Sequence, residues 1–496
     1  MSILQDVNRA MDHHRHGRLV QAEAEYRNIL ARDPKNFDAL HLLGTIVSGK
    51  GQSREGIELI LRALARMPNS PEAHFNLGNI YAGLYRFAEA EPHFRAAFRL
   101  NPRNAEAANG VGGALLRLGR YEEAEQWLKK ALVVDPQCVG ALINSGTLMD
   151  AVGRFSETIA YYDRAIALSP QRADVHHFKA LALLARRQFS EGWREFAWRF
   201  KDNPSLKKHF SLPFWQGEPL AGRNILVWTE QGLGDEVLIA SMIPDLIAAG
   251  AKVVLLASPR LRTVFARSFP AVEVLPFNGK ASAAEIPADA AFQASLSDLG
   301  RHLRPSLSAF AAPRKYLTAD ASLAHSLREK YLAGRETNLL VGISWRSKAP
   351  ESGAEKTVPL EHWTPVLSVP GVTFVNLQYG DTTAEVTAAE SATGACIITD
   401  RDVDALGDMM PFAAQIAATD LVVTVSNTTA HIAGALGAKA CVLVPANSGR
   451  LWYWFLEGSD SPWYPHVRLL RQPVAGWTST MKEVASMISS RRRDAQ

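Results

Sequence analysis

The sequence predicts a helical solenoid followed by two α/β lobes, and three observations carry that reading. Six prolines, Pro34, Pro68, Pro102, Pro136, Pro170 and Pro204, stand 34 residues apart. Small residues keep the same register: Gly44, Gly78, Gly112 and Gly146 form one column, and Ala22, Gly56, Ala90, Ala124, Thr158 and Gly192 another. Beyond Pro204 the period stops. Short apolar runs then alternate with amphipathic stretches, the pattern of parallel sheets covered by helices.

A period of 34 is that of the tetratricopeptide repeat, a pair of antiparallel helices that stacks on copies of itself. The small residues let neighbouring helices approach closely. The proline ends each second helix, because it has no N–H to continue the ladder. Ala63, Ala97, Ala131 and Ala165 make a third column. The units run 3–36, 37–70, 71–104, 105–138, 139–172 and 173–204. The last departs from the pattern, with Ala180 in the glycine column and Arg199 in place of a small residue, as an end unit that meets another domain does.

The first helices of such pairs line a concave face. Here they carry Asn76, Asn79, Asn109 and Asn144, with His41 and Phe75 nearby. An asparagine amide both donates and accepts, so it can grip a peptide backbone without reading its side chains. Solvated helix positions would accept the same residues. Gly110 stands between Asn76 and Asn144 in their shared column, so any ladder of amides is incomplete. His13, His14 and His16 lack a partnering Cys or carboxylate at ligand spacing, and no metal site is expected there.

Length and composition set the bounds. A chain of 496 residues holds two or three domains. A net charge of +4, with 47% hydrophobic and 21% charged residues, makes no case for nucleic acid or a membrane surface. Cys138, Cys396 and Cys441 lie far apart, as in a reducing compartment. The N-terminal stretch has no signal-peptide core, and no apolar run reaches the roughly 18 residues of a membrane span. The expected location is the cytoplasm.

The domain order is then a solenoid over 1–204, a connector over 205–222, a first lobe over 223–336 and a second over 337–496. Phe210, Phe214 and Trp215 suggest that the connector packs on a surface. The first lobe opens with the strand NILVWTE (224–230), the turn of Gly232, Gly234 and Asp235, and a helix through Ala248. The strand KVVLLAS (252–258) follows. The second lobe has NLLVGISW (338–345), VTFVNLQYG (372–380), DLVVTVS (420–426) and KACVLVP (439–445) as strands. Two such lobes place a ligand in the cleft at the C-terminal ends of their strands.

In the second lobe, strand 420–426 runs into Asn427, Thr428 and Thr429 and a helix with His431 in its first turn. Hydroxyls, free backbone N–H groups and the helix dipole there suit a phosphate. Ordinary capping by Asn427 or Thr428 explains the same residues equally well. In the first lobe, the glycine-rich turn is a poor dinucleotide fingerprint, since Val237 holds the third glycine position. Asp235 at that helix start is read as a general base or as a favourable charge at a helix N-terminus. Asp400, Asp402 and Asp404 read as helix-start charge rather than as metal ligands. No Gly-x-Ser-x-Gly elbow and no Walker lysine is present.

The region from LPFWQGEPLAG to the end resembles the GT-B glycosyltransferases of the heptosyltransferase-like clan, whose fold is two Rossmann-like lobes. The resemblance rests on EQGLGD (230–235), on Lys356, Pro359 and Trp363 in their spacing, and on the His431 turn with AGALG behind it. SPWYPHVRLLRQ (461–472) is typical of bacterial proteins that join tetratricopeptide repeats to such a domain. The joined architecture is similar to that of O-GlcNAc transferase. It is also similar to that of cytoplasmic flagellin O-glycosyltransferases, which use CMP-linked nonulosonic acids.

The resemblance implies a metal-independent transferase with no cofactor, using a nucleotide-sugar as substrate and a protein acceptor held by the repeats. It implies Asp235 as catalytic base, Lys356 as phosphate ligand, and Asn427, Thr428, Thr429 and His431 as a phosphate cradle. Gln378 and Tyr379 are candidates for the nucleotide base or sugar, and Arg346 for an acidic donor group. Ser426 stands where heptosyltransferases usually carry an acidic residue, which argues against a heptose donor. Two other readings stay open: a binding scaffold with an inactive transferase-like lobe, and a lipopolysaccharide sugar transferase.

Overall fold

Repeating end signals shape the helices of the N-terminal half. In the computed structural model, which describes residues 2–206, 210–278, 289–310, 314–335, 339–348, 353–446, 451–473 and 476–494, two compact units are formed, 1–178 and 179–496. In the first, helices Phe37–Gly49, Pro71–Gly83 and Ala105–Arg117 are each capped by a side chain 34 residues from the last. Asn36, Ser70 and Asn104 accept from the backbone N–H groups of Ala39, Ala73 and Ala107, satisfying donors that a helix start leaves open.

The glycine column works by absence. A Cβ on Gly44 would lie 2.7 Å from Ile60, on Gly78 2.8 Å from Phe94, on Gly112 2.6 Å from Leu128 and on Gly146 2.5 Å from Tyr162. Each large residue comes from the second helix of the same pair, so the glycine lets that side chain lie against the backbone of the first. The alanine column, Ala63, Ala97, Ala131 and Ala165, is fully buried.

The second unit begins inside helix Ala173–Ala185, earlier than the end of the period at Pro204. The latter part of the sixth repeat belongs to it. Trp193 packs where a Cβ on Gly300 would be, 2.5 Å away, and its indole N–H donates to the Arg304 carbonyl at 2.9 Å. Arg199, the residue that breaks the small-residue column, is buried. Its Nη2 donates to Glu230 at 2.7 Å and to Asp298 and Ser295 at 2.8 Å each.

This unit holds two sheets. Strands β1 (Asn224–Trp228), β2 (Lys252–Ala257), β3 (Glu273–Pro276) and β4 (Ala290–Ser295) form a parallel sheet in the order β3-β2-β1-β4. The larger sheet contains β5 (Leu339–Ser344), β6 (Val372–Asn376), β7 (Cys396–Ile398), β8 (Leu421–Val425), β9 (Ala440–Val444), β10 (Asp460–Ser461) and β11 (Tyr464–Arg471). Its order is β10-β11-β9-β8-β5-β6-β7, with only β10 antiparallel among the described strands. The order reverses at β1 and at β5, and a crevice opens beyond the strand ends at such reversals. The lobe boundary expected at 336/337 lies outside the described residues.

Three details differ from expectation or sharpen it. The helix after β1 is interrupted: Leu233–Ile239 is followed by a 3₁₀ turn and then Ile243–Ala248, with Pro244 in its first turn. The connector packs on β4, where Trp215 N–H donates to the Gln293 carbonyl at 2.8 Å and Gln293 N–H to the Pro213 carbonyl at 2.9 Å. Helix-start charge is not the role of Asp400 and Asp402, which pair with Lys330 at 2.8 Å. Asp404 accepts from Leu406 N–H, and Asp408 caps helix Met409–Ala417 instead.

Candidate functional site

Beyond the ends of β1, β5 and β8 lies a cavity of about 430 Å³, lined from both lobes of the second unit. Gly232, Gly234 and Asp235 reach it from the first lobe, and Lys356, Tyr379, Asn427, Thr428, Thr429 and His431 from the second. Residues more than a hundred positions apart in sequence are thus brought to one place.

Asp235 sits in the first turn of helix Leu233–Ile239. Loss of hydration pushes its carboxyl up to about 6, against the opposing pull of Lys356 and the backbone N–H groups of Gly232 and Asp235. Lys356 is only 5% exposed, and among the described residues its ammonium has no hydrogen bond or ion pair. Burial lowers its pKa while Asp235 raises it. A buried cation without a partner is costly, and the cavity is where an anion would meet it.

The start of helix Thr428–Leu436 faces the same space. Among the described residues the Thr428 N–H donates to nothing, so one helix-start donor is open to a ligand. Asn427 is fully engaged in structure. Its Oδ1 accepts from Thr429 N–H at 3.0 Å and Thr424 Oγ1 at 3.1 Å; its Nδ2 donates to Ser344 Oγ at 2.8 Å and the Arg346 carbonyl at 3.2 Å. It caps the helix and ties β8 to β5, and it also lines the cavity.

His431 is buried against Trp454, with ring centroids 5.2 Å apart, and its Nδ1 lies 2.8 Å from the Tyr464 hydroxyl. Burial, with Lys356 nearby, drives its pKa down to about 3. Without a ligand the imidazole is therefore neutral at physiological pH. Ser426 accepts from the Trp454 indole at 2.7 Å.

Two expected donor-site residues do not line the cavity. Gln378 Oε1 accepts from Ser344 Oγ at 3.0 Å and from the N–H groups of Trp345 and Arg346 at 3.0 and 2.9 Å, so it shapes the turn after β5. Arg346 pairs with Glu385 and donates to the Asp381 carbonyl at 2.7 Å. Sequence reasoning missed Arg260 and Tyr453, both in the cavity wall. Position alone signals Arg260, three residues beyond the end of β2. Tyr453 lies edge-on to His431 at 5.0 Å. No group of three or more His, Cys, Asp or Glu side chains among the described residues could hold a metal ion.

In the first unit, His41 Nε2 lies 2.9 Å from Asn76 Nδ2, and Asn144 Nδ2 donates to Asn109 Oδ1 at 2.8 Å. The amides therefore link neighbouring repeats. Asn79 is exposed, and Phe75 packs on Phe94 at 5.8 Å. A Cβ on Gly110 would lie 2.6 Å from Phe94, so the gap in the asparagine column is enforced by packing.

The tetratricopeptide repeat model matches residues 41–91 and 82–137. Residues 41–137 are tetratricopeptide repeats. Such repeats suggest that the first unit binds a protein partner. The chain is similar to Protein FlbA of Caulobacter vibrioides, 35% identical over 330 residues, covering 62% of this chain and 54% of that protein. It thus spans about half the length of that relative. Among solved structures it is similar to YrrB, described as a TPR protein with an unusual peptide-binding site. The identity is 22%, the coverage 36% of this chain and 92% of YrrB, and the TM-score 0.32. It is also similar to TTC0263, a thermophilic TPR protein of Thermus thermophilus, with 24% identity, coverage of 37% and 100%, and a TM-score of 0.32. No helix among the described residues is long and apolar enough to cross a membrane.

Proposed function

We propose that the second unit is a GT-B-type glycosyltransferase that moves a sugar from a nucleotide-sugar to a serine or threonine of a protein bound by the repeats. The observation that carries this reading is Lys356: a buried ammonium, unpartnered among the described residues, beside Asp235 and the open start of helix Thr428–Leu436. An anion site and a proton acceptor in one cavity are what glycosyl transfer to a hydroxyl needs.

The acceptor oxygen bonds to the anomeric carbon as the bond from that carbon to the donor phosphate breaks. The hydroxyl proton passes to Asp235, most of which is ionised at pH 7. Lys356 and the Thr428 N–H take up the charge that grows on the phosphate oxygen. His431 acts as a neutral wall and Asn427 as the brace of the helix start. Metal-independence and the absence of any cofactor belong to the same proposal, as do the cytoplasmic location, a flagellin-like acceptor and a CMP-linked nonulosonic acid as donor. A thermal-shift panel of UDP, GDP, ADP and CMP on the full chain tests it. Stabilisation by at least one nucleotide is expected, and silence from all four would turn the reading towards a protein-binding scaffold.

A further inference from the structure

Among the described residues Arg260 is the second cation of the cavity wall, and its surroundings give it two tasks. It sits in the turn between β2 and helix Arg262–Ser268. Its Nη2 donates to the Ala405 carbonyl at 2.8 Å and its Nε to the Gly407 carbonyl at 3.3 Å. Its own carbonyl accepts from the Met409 N–H at 2.9 Å, and Thr263 donates to Asp408. One turn of the first lobe therefore holds residues 405–409 of the second, which supply Ala405, Leu406 and Met409 to the cavity wall. The buried Glu236 fixes that turn, accepting from the Ser258 N–H at 2.9 Å.

The rest of the guanidinium is uncommitted. Among the described residues Nη1 has no hydrogen bond, and no carboxylate pairs with Arg260. Among the described residues the cavity wall carries two cations, Lys356 and Arg260, against one carboxylate, Asp235. Arg346, a candidate for an acidic donor group, pairs with Glu385 and does not line the cavity, although its Nε is buried without a partner among the described residues. An arginine held in place by backbone carbonyls loses little rotamer freedom when its remaining edge takes an anion, and its fork matches a carboxylate or phosphate.

We propose that Arg260 is the specificity residue of the cleft, binding an anionic group of the ligand other than the phosphate held by Lys356 and Thr428. It thereby selects ligands with two separate negative groups. This rests on the sugar-nucleotide reading above. Two ligand sources share the chemistry: the carboxylate of an acidic sugar joined to a nucleoside monophosphate, and the second phosphate of a nucleoside diphosphate.

Titration calorimetry of the full chain with CMP, CMP-N-acetylneuraminate, UMP and UDP separates them, using wild type, Arg260→Gln and Thr263→Ala. Wild type is expected to prefer one two-anion ligand to its mononucleotide. Arg260→Gln is expected to lower affinity for that ligand about 10- to 100-fold while the mononucleotide changes by less than about threefold. Loss on CMP-N-acetylneuraminate names the carboxylate; loss on UDP names the second phosphate. Thr263→Ala keeps the cation and loosens the rim, so it is expected to weaken every ligand alike. An Arg260→Gln protein with unchanged melting that binds all ligands as wild type does, or weakens them all equally, overturns the inference and leaves the sugar-nucleotide reading standing. A wild type with no preference for either two-anion ligand overturns it too. Wild type that binds none of the four overturns the inference, and the sugar-nucleotide reading falls with it when GDP and ADP also fail to stabilise the full chain.

Discussion

A Cβ placed on Gly234 would lie 2.8 Å from Cδ2 of His431, closer than packed carbon atoms approach. The glycine of the first lobe and the histidine of the second are fitted to each other. Helices Leu233–Ile239 and Thr428–Leu436 meet at this point, so the placement of Asp235 relative to the second lobe depends on residue 234 having no side chain. Gly234→Ala is expected to cost about 1–3 kcal/mol of stability through overpacking and to weaken nucleotide binding. Denaturant unfolding and nucleotide titration check both, and a variant unchanged in both would show that the lobes adjust freely there.

Asp235→Asn keeps the shape of the side chain and removes the proton acceptor. Transfer is expected to fall by roughly 10²–10⁴ while nucleotide binding persists. In the wild type, kcat/KM should rise with pH through about 6, where Asp235 ionises. Lys356 lowers that pKa, so Lys356→Met should move the acid limb to higher pH. A limb that stays in place would separate Asp235 from the proton transfer.

Lys356→Ala combined with Thr428→Ala removes the unpartnered ammonium and alters the first residue of the helix. Nucleotide affinity is expected to drop with little change in melting, because neither side chain bonds to the rest of the described structure. Retained affinity in the double variant would show that neither the Lys356 ammonium nor the Thr428 hydroxyl holds the phosphate.

Glu236 is buried, and loss of hydration raises its carboxyl to about 7. A group raised on folding stabilises the fold below its unfolded pKa, and that contribution is lost as pH rises through the folded value. Wild type should therefore lose about 3 kcal/mol relative to Glu236→Gln between about pH 4.5 and 7. Parallel stability profiles for the two proteins would show that Glu236 does not titrate in that range.

The repeats are expected to choose the acceptor. A fragment beginning at Lys179 should bind nucleotide yet fail to modify a folded flagellin-like protein. One beginning at Lys201 should be less stable, since it lacks Trp193 and the buried Arg199 with its contacts to Glu230 and Asp298. Replacing Asn76, Asn109 and Asn144 together should weaken acceptor binding if their amides grip its backbone. Intact mass of the co-expressed acceptor, with the sugar-nucleotide pathway present, reads all of these. Complete modification by the Lys179 fragment would assign the solenoid to localisation or assembly.

Much of this was legible because it is local or periodic. The glycine column recurs every 34 residues, since every repeat must seat one large side chain against a helix backbone. Strands β1, β2, β5, β8 and β9 stand out as apolar runs because both of their faces are covered. Strand β4 does not stand out. Its AAFQAS is small and carries a buried glutamine, Gln293, whose amide reaches the Phe210 and Leu212 carbonyls of the connector and accepts from Trp228.

By itself the sequence determined the repeat architecture, the α/β character of the rest and the residue types gathered at Asp235, Lys356 and Thr428. The repeats, the α/β character and the turns at Asp235 and Thr428 follow from spacing and local chemistry, and Lys356 from the resemblance to the GT-B family. Tertiary structure decided which groups are left over to meet a ligand. Gln378 and Asn427 carry suitable chemistry, yet both are engaged by Ser344, distant in sequence, and Arg346 is turned to Glu385 outside the cavity wall. Burial holds the His431 pKa low, and among the described residues Arg260 keeps one free edge because carbonyls of the other lobe hold the rest. A donor's availability depends on every neighbour within hydrogen-bond reach, and those neighbours are assembled only when the two sheets come together.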